Sequence, residues 1–173
     1  MRPPSVVLGG MASPIRRAAA FIAVFLCSAG FDQGTKEWAL TLPAGQRKPV
    51  IDGVWDWELA HNPGVAFSRF DGMAHGQLIL SLLAVAMIGV VLWLAAKTRP
   101  DQRIMRIGYA LIAGGALGNL VDRFRHGAVT DFIRWRAGDH LWPIFNVADA
   151  LLVVGVAFLF FSPRLDRPHK LQT

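Results

Sequence analysis

The sequence predicts a mainly α-helical membrane protein, with four transmembrane helices and a small extracytoplasmic β-sheet. Three observations carry this. The chain is 53% hydrophobic and only 17% charged, too apolar for an ordinary soluble domain. Four apolar runs approach the roughly 20 residues that a bilayer-spanning helix needs. One stretch between them alternates apolar and polar residues with the period of a strand. The 173 residues have room for one domain, 1–173, with a disordered tail at 1–15 and a second tail at 164–173.

The first run spans Ala18 to Leu42 and is apolar until Asp32, Lys36 and Glu37. Arg16 and Arg17 ahead of AAAFIAVFL resemble the start of a signal peptide. Yet Leu26 precedes Cys27 where a lipoprotein signal carries a small residue, and three spans follow, so the run reads as a retained helix. Cys27 is the only cysteine, so it has no internal disulfide partner and reads as a small membrane-buried side chain. Either Met1 or Met11 is compatible with the start of the chain.

In the outer loop Pro43 to Gly72, IDGVWDWEL (Ile51 to Leu59) alternates with period two, and Asn62-Pro63-Gly64 is a turn signal. The second run, Leu78 to Ala96, has Ser81 as its only polar side chain. The third, Ile104 to Val121, carries Ala110, Gly114 and Gly118 every four residues, a ridge suited to close helix contact. The fourth, Ile144 to Phe161, is interrupted by Asn146 and Asp149.

The formal net charge is +6. No basic, aromatic-interleaved patch suggests nucleic acid, and the charges sort by loop instead. The two tails and the Lys97–Arg106 loop hold ten basic and two acidic residues, whereas Pro43 to Gly72 holds three and four. By the positive-inside rule both termini face the cytoplasm, and the first and third loops face outward.

Ionisable groups within spans usually face a bundle interior or a water-filled site. Asp32 and Lys36 lie four apart on one helix face, as an ion pair or as part of a site's frame. Asn119–Asp122 and Asn146–Asp149 repeat one spacing of three, each on one face and near the outer surface. Counted at helical rise from Pro143, Asp149 lies roughly 9 Å inside the outer boundary. Taken singly, the asparagines read as interhelical hydrogen bonds, and Asp122 with Arg123 as an ion pair at a helix end.

Several hydrolytic chemistries lack their motifs: there is no H-E-x-x-H, no G-x-S-x-G and no Gly-Lys pair of a phosphate-binding loop. A carboxylate pair sharing one proton needs neither metal nor cofactor. Its outer-facing candidates are Asp122, Asp131 and Asp149, and spacing does not choose among them.

Four blocks are more specific. DQGTK (Asp32 to Lys36), HNPGVAFS (His61 to Ser68), GALGNLVDRFRHGAVTDFI (Gly115 to Ile133) and WPIFNVADALLVVG (Trp142 to Gly155) occur in that order. Together they resemble the signatures of the prolipoprotein signal peptidase (signal peptidase II) family. Pro63 and Thr130 fall at positions that vary within those blocks.

The resemblance implies a fold of four helices with an outer sheet as a cradle and a loop over the active site. It implies an aspartic endopeptidase, with Asp131 and Asp149 as the catalytic pair. Asn62, Gly64, Asn119, Asp122, Arg123 and Asn146 would bind substrate, with Asp122 a partner of Arg123. Asp32–Lys36 would be a structural polar pair. No metal or cofactor is implied.

The implied substrates are diacylglyceryl-modified prolipoproteins, cut just before the lipidated cysteine at the periplasmic face of the bacterial inner membrane. The implied surroundings are membrane lipid, a monomeric state and the cyclic peptide globomycin as inhibitor. The outer loop is expected to act as a lid. His126 and His140 read as solvated loop residues. The competing readings are a small transporter, which calls for polar residues through the full depth, and a lipoprotein-binding assembly factor, which needs no matched aspartates.

Overall fold

The computed structural model describes residues 13–64 and 73–165. The expected tails fall largely on 1–12 and 166–173, and much of the expected lid falls on 65–72; all lie outside the described residues. The elements are α1 (Pro14–Ala39), β1 (Arg47–Ile51), β2 (Trp55–Asn62), α2 (Met73–Ala96), α3 (Arg103–His126), β3 (Val129–Ala137), β4 (His140–Leu141) and α4 (Val147–Leu165).

α1 starts inside the stretch read as a tail. Ser13 caps it by accepting the Arg16 N–H at 3.3 Å, and Pro14 occupies the first turn, where its missing N–H costs nothing. Among the described residues, three helices are long and apolar enough to cross a membrane: Pro14–Ala39, Gly76–Ala96 and Arg103–His126. The fourth is shorter: α4 has 19 residues, or about 28 Å at helical rise. α3 runs past the expected Val121 to His126 and stops at Gly127, whose φ of 67° makes the left-handed cap that a glycine adopts without strain.

α3 packs against each of the other helices, and α1 also touches α4. Leu82, Leu83, Val90 and Trp93 on α2, with Val153, Val156 and Phe160 on α4, are exposed large apolar side chains, as a lipid-facing surface requires. The glycine ridge read from the sequence faces α1. A Cβ on Gly114 would sit 2.9 Å from the Phe25 carbonyl oxygen, and one on Gly118 would clash with the Asp32 carboxylate. A second set faces α4. A Cβ on Gly115 would meet the Ala148 carbonyl oxygen at 2.6 Å, and Gly108 and Gly155 stand against each other's carbonyls.

These contacts meet backbone, which cannot swing aside. Gly115→Val is therefore expected to destabilise the bundle by about 1–3 kcal/mol through overpacking. Thermal unfolding in detergent measures this, and an unchanged midpoint would contradict the packing described.

The sheet has the order β1-β2-β3-β4, antiparallel throughout. The alternating stretch Ile51 to Leu59 is not one strand. Asp52 and Gly53, with φ of 74° at Gly53, turn the chain between β1 and β2, and the Val54 N–H closes the turn on the Ile51 carbonyl at 3.0 Å. β3 and β4 come from the third loop, which carried no strand signal. β3 opens with four consecutive buried residues, Val129 to Phe132. Its pairing with β2 sets Ala60 opposite Asp131 and Asn62 opposite Val129, and β3 leaves the end of α3 that lies against the end of α1 and the start of α4.

Candidate active site

The site is assembled where α1, α3, β3 and the start of α4 meet. At its base is Lys36, 2% exposed. Its ammonium lies 2.9 Å from Asp32 Oδ2 and 3.2 Å from Asp122 Oδ2, and donates to Asn119 Oδ1 at 2.8 Å. Three donors thus have three acceptors. The Asp32–Lys36 pair expected within one helix therefore extends into a junction between α1 and α3.

Both carboxylates also hold backbone. Asp32 Oδ1 accepts the Ala148 N–H at 2.8 Å, and Asp122 Oδ2 accepts the Thr130 N–H at 2.8 Å. One buried cation thereby ties the ends of α1 and α3 to the start of α4 and of β3. Asp122 is not paired with Arg123: its partners are Lys36, Thr130 and Gln33. Neighbours one apart on a helix point to different faces, which is why adjacency misled.

Asn146 and Asp149 are the cap of α4 rather than an interruption within it. Asn146 Oδ1 accepts the Asp149 N–H at 3.1 Å, and Asp149 Oδ2 accepts the Asn146 N–H at 3.2 Å, a reciprocal capping box. The helix starts at Val147, so the 9 Å depth counted from Pro143 does not hold; Asp149 lies within the first turn.

Above this base the two remaining aspartates converge on the asparagines. Asn119 Nδ2 donates to Asp149 Oδ1 at 2.9 Å. Asn146 Nδ2 donates to Asp131 Oδ1 at 2.6 Å and to Asn119 Oδ1 at 3.1 Å. Asn62 Nδ2 reaches Asp131 Oδ2 from β2 at 3.0 Å. Burial, offset in part by the Asn62 hydrogen bond and reinforced by the charge of Asp149, pushes the Asp131 carboxyl up to about 6 from the usual 3.8.

Gly64, at φ 80°, donates its N–H to Asn62 Oδ1 at 2.9 Å, and a Cβ there would collide with Leu80. It shapes the loop that delivers Asn62. Arg123 feels the charges of Asp149, Asp122 and Asp131, and its Nε is buried without a partner among the described residues. It lines a cavity of about 290 Å³ between α2, α3 and α4. Asn119, Arg123 and Asp149 form the polar end, and Leu80, Leu83, Met87 and Leu152 form an apolar wall.

All ten residues singled out in the sequence thus contribute to one region, Gly64 through its backbone. Gln33 was missed: its amide joins the Gly118 carbonyl and Asp122 Oδ1, both at 3.1 Å. It stands inside the Asp32–Lys36 block, next to a residue already chosen. His126 and His140 lie outside the hydrogen-bonded cluster and are exposed.

A family model described as signal peptidase (SPase) II matches residues 24–163. A lipoprotein signal peptidase of Xanthomonas campestris pv. campestris (strain 8004) is 45% identical over 129 residues, covering 73% of this chain and 77% of the relative. One from Xylella fastidiosa (strain 9a5c) is 41% identical over 145 residues, covering 82% and 86%. A bacterial membrane enzyme solved by the in meso method at 1.9 Å superposes with a TM-score of 0.73 at 27% identity, covering 86% of this chain and 95% of that one.

Proposed function

The chain belongs to the signal peptidase II family, and from that premise we propose how its own residues carry out the family's reaction. It is a membrane peptidase that cleaves signal peptides from prolipoproteins. In our reading it is an aspartic endopeptidase with Asp131 and Asp149 as the reacting pair. The observation that carries this is the shared mounting of two carboxyls, from β3 and α4, on Asn119 and Asn146.

The pair holds one proton between two close carboxyls, and titrates as a unit. A water lies between the pair and the scissile carbonyl. The ionised carboxylate takes a proton from that water as its oxygen bonds to the carbonyl carbon. The protonated partner donates to the carbonyl oxygen, giving a neutral tetrahedral diol. Collapse breaks the C–N bond: the departing nitrogen takes the proton of the protonated carboxyl, while one diol hydroxyl gives its proton to the ionised one. The products are a carboxylic acid and a free amine, with the pair back at one proton.

The neighbours are placed for this reaction. Asn119 and Asn146 fix the carboxyls, Asn62 and Arg123 are placed to hold substrate carbonyls, and Gly64 lets the Asn62 loop turn. The apolar wall of the cavity suits an acyl chain beside the reacting end. That supports a substrate whose cysteine already carries diacylglycerol, cut just before that cysteine. The lipid then supplies positioning that binding would otherwise have to provide. The excess of basic residues on the tails and the Lys97–Arg106 loop supports cytoplasmic termini and a site at the outer face of the inner membrane. Mass spectrometry of the products tests the cut: the new N-terminus is expected to be the lipidated cysteine, with an unlipidated proprotein left intact. Equal cleavage of the unlipidated proprotein would sink this part of the reading.

The pH dependence has a definite sign. Asp131 is raised from 3.8 to about 6, so Asp131 keeps its proton below about 6 and loses it above; kcat/KM is expected to fall as pH rises through this range. The same shift makes the folded chain bind that proton more tightly than the unfolded chain does. Ionised Asp131 therefore costs stability, increasingly from about pH 4 to 6 and fully above. The Tm of Asp131→Asn relative to the native chain is expected to be higher at pH 7 than at pH 4. A difference in Tm that does not change with pH would remove the basis for this titration.

A further inference from the structure

The opposite end of the bundle carries a cluster of arginines beside two grooves. Arg17 stands 19 residues before Lys36 on α1, about 28 Å away along the helix. α1 packs on α3 and α4, and α2 packs on α3. A groove of about 310 Å³ between α1 and α3 adjoins one of about 400 Å³ between α1 and the end of α2, and the two share Arg17, Phe21 and Arg106.

Arg16 and Arg103 complete a ring of four arginines around the first groove. The guanidinium of Arg106 is held on the carbonyls of Arg99 and Pro100 at 2.9 and 3.3 Å. Arg16, Arg17 and Arg103 make no ion pair among the described residues, and no carboxylate lines either groove. Deeper in, the walls are apolar: Phe21, Val24, Ile22 and Leu92. Ile22 and Leu92 are exposed sideways, so the groove opens towards acyl chains rather than into water.

We propose that this groove binds one acidic phospholipid, its phosphate among Arg16, Arg17 and Arg103 and one acyl chain along Phe21, Ile22 and Leu92. Unneutralised cations above an apolar floor, open laterally, match a molecule with an anionic head and a hydrocarbon tail. A soluble anion would leave the apolar walls empty. A neutral lipid would leave Arg16, Arg17 and Arg103 without an anionic partner among the described residues. The site is separate from the aspartates, so a test on lipid retention stands whatever the catalytic assignment.

Native mass spectrometry of the full chain in detergent gives the test, with dioleoyl phosphatidylglycerol and dioleoyl phosphatidylcholine as probes. One phosphatidylglycerol is expected to be retained in preference to phosphatidylcholine. Arg17→Gln with Arg103→Gln is expected to weaken retention by about thirtyfold, roughly fivefold for each charge removed. Lys97 is the control: it lies at the same end, over the Trp93 ring at 3.8 Å and outside both grooves. Lys97→Gln is expected to leave retention unchanged.

Equal retention of the two lipids, or equal losses in Lys97→Gln and the arginine variant, would overturn the proposal in favour of general surface attraction. Displacement of the lipid by inorganic phosphate alone would make it an anion site. Retention that rises when Val6, Val7 and Leu8 are changed to Asp in the full chain would mean that the chain's own first residues fill the groove. Unfolding midpoints of all variants in detergent show that each is folded.

Discussion

Asp149→Asn is expected to lower the single-turnover cleavage rate by about a thousandfold or more, with the protein still folded. A positioned acid or base supplies about 10²–10⁴ in rate, and in a shared-proton pair the loss of either member disables both roles. The fold should survive because of what Asp149 does locally. Its Oδ2 accepts the Asn146 N–H and its Oδ1 accepts from Asn119. An asparagine carbonyl replaces one of these acceptors, so α4 keeps most of its cap. The half-buried carboxylate is made neutral rather than left without its partners. A folded variant that cuts within about tenfold of the native rate would mean that Asp149 is a cap and no more.

Lys36→Met is expected to unfold the protein more readily than any other single change here, by about 3–5 kcal/mol, the cost of removing one partner from a buried ion pair. The cation is shared by Asp32 and Asp122, whose carboxylates are 0% and 2% exposed. Removing it strands two negative charges and leaves Asn119 Oδ1 with Asn146 Nδ2 as its remaining donor. Adding Asp32→Asn should recover part of the loss, because one stranded charge goes. Lys36 also lowers the Asp131 carboxyl across the site. In whatever folded fraction remains, the decline of cleavage with pH should therefore begin at a higher pH. Detergent unfolding of the single and double variants measures the first effect. A Lys36→Met midpoint equal to the native one would show that the junction contributes nothing net.

Much of this was legible in the chain, for identifiable reasons. The spans show because the bilayer demands length and apolarity, properties of a run rather than of a fold. The boundaries show less well. Asn146 and Asp149 look like flaws in a fourth span when they are its capping box, because a cap and an intramembrane polar pair share one spacing. The alternation from Ile51 to Leu59 announces a sheet, but not the turn at Asp52-Gly53 that divides β1 from β2. β3 does not, because Val129, Thr130, Asp131 and Phe132 are all buried. A strand covered on both faces has no period to read.

The site's residue types were visible, but their pairings were not. Lys36 could be matched to Asp32 from helical spacing, whereas its contacts with Asn119 and Asp122 depend on how α1 and α3 are rotated against each other. That rotation is set by Gly114 and Gly118, which admit Ser28 and Asp32 at close range. The choice of Asp131 over Asp122 came from family resemblance. Geometry supplies a physical reason for it: Asp122 is tied to a cation and a backbone N–H, whereas the groups facing the Asp131 oxygens are amides.

A gel-shift cleavage assay on a diacylglyceryl-modified proprotein in detergent tests the central claim most directly. The native chain would be run beside Asp131→Asn, Asp149→Asn and Asp122→Asn, with and without chelator, each checked for folding. The expected result is cleavage by the native chain that ignores chelator, none from folded Asp131→Asn or Asp149→Asn, and residual cleavage from whatever Asp122→Asn remains folded. Cleavage that survives either substitution of the pair, or that stops with chelator, would contradict a metal-free reaction run by Asp131 and Asp149.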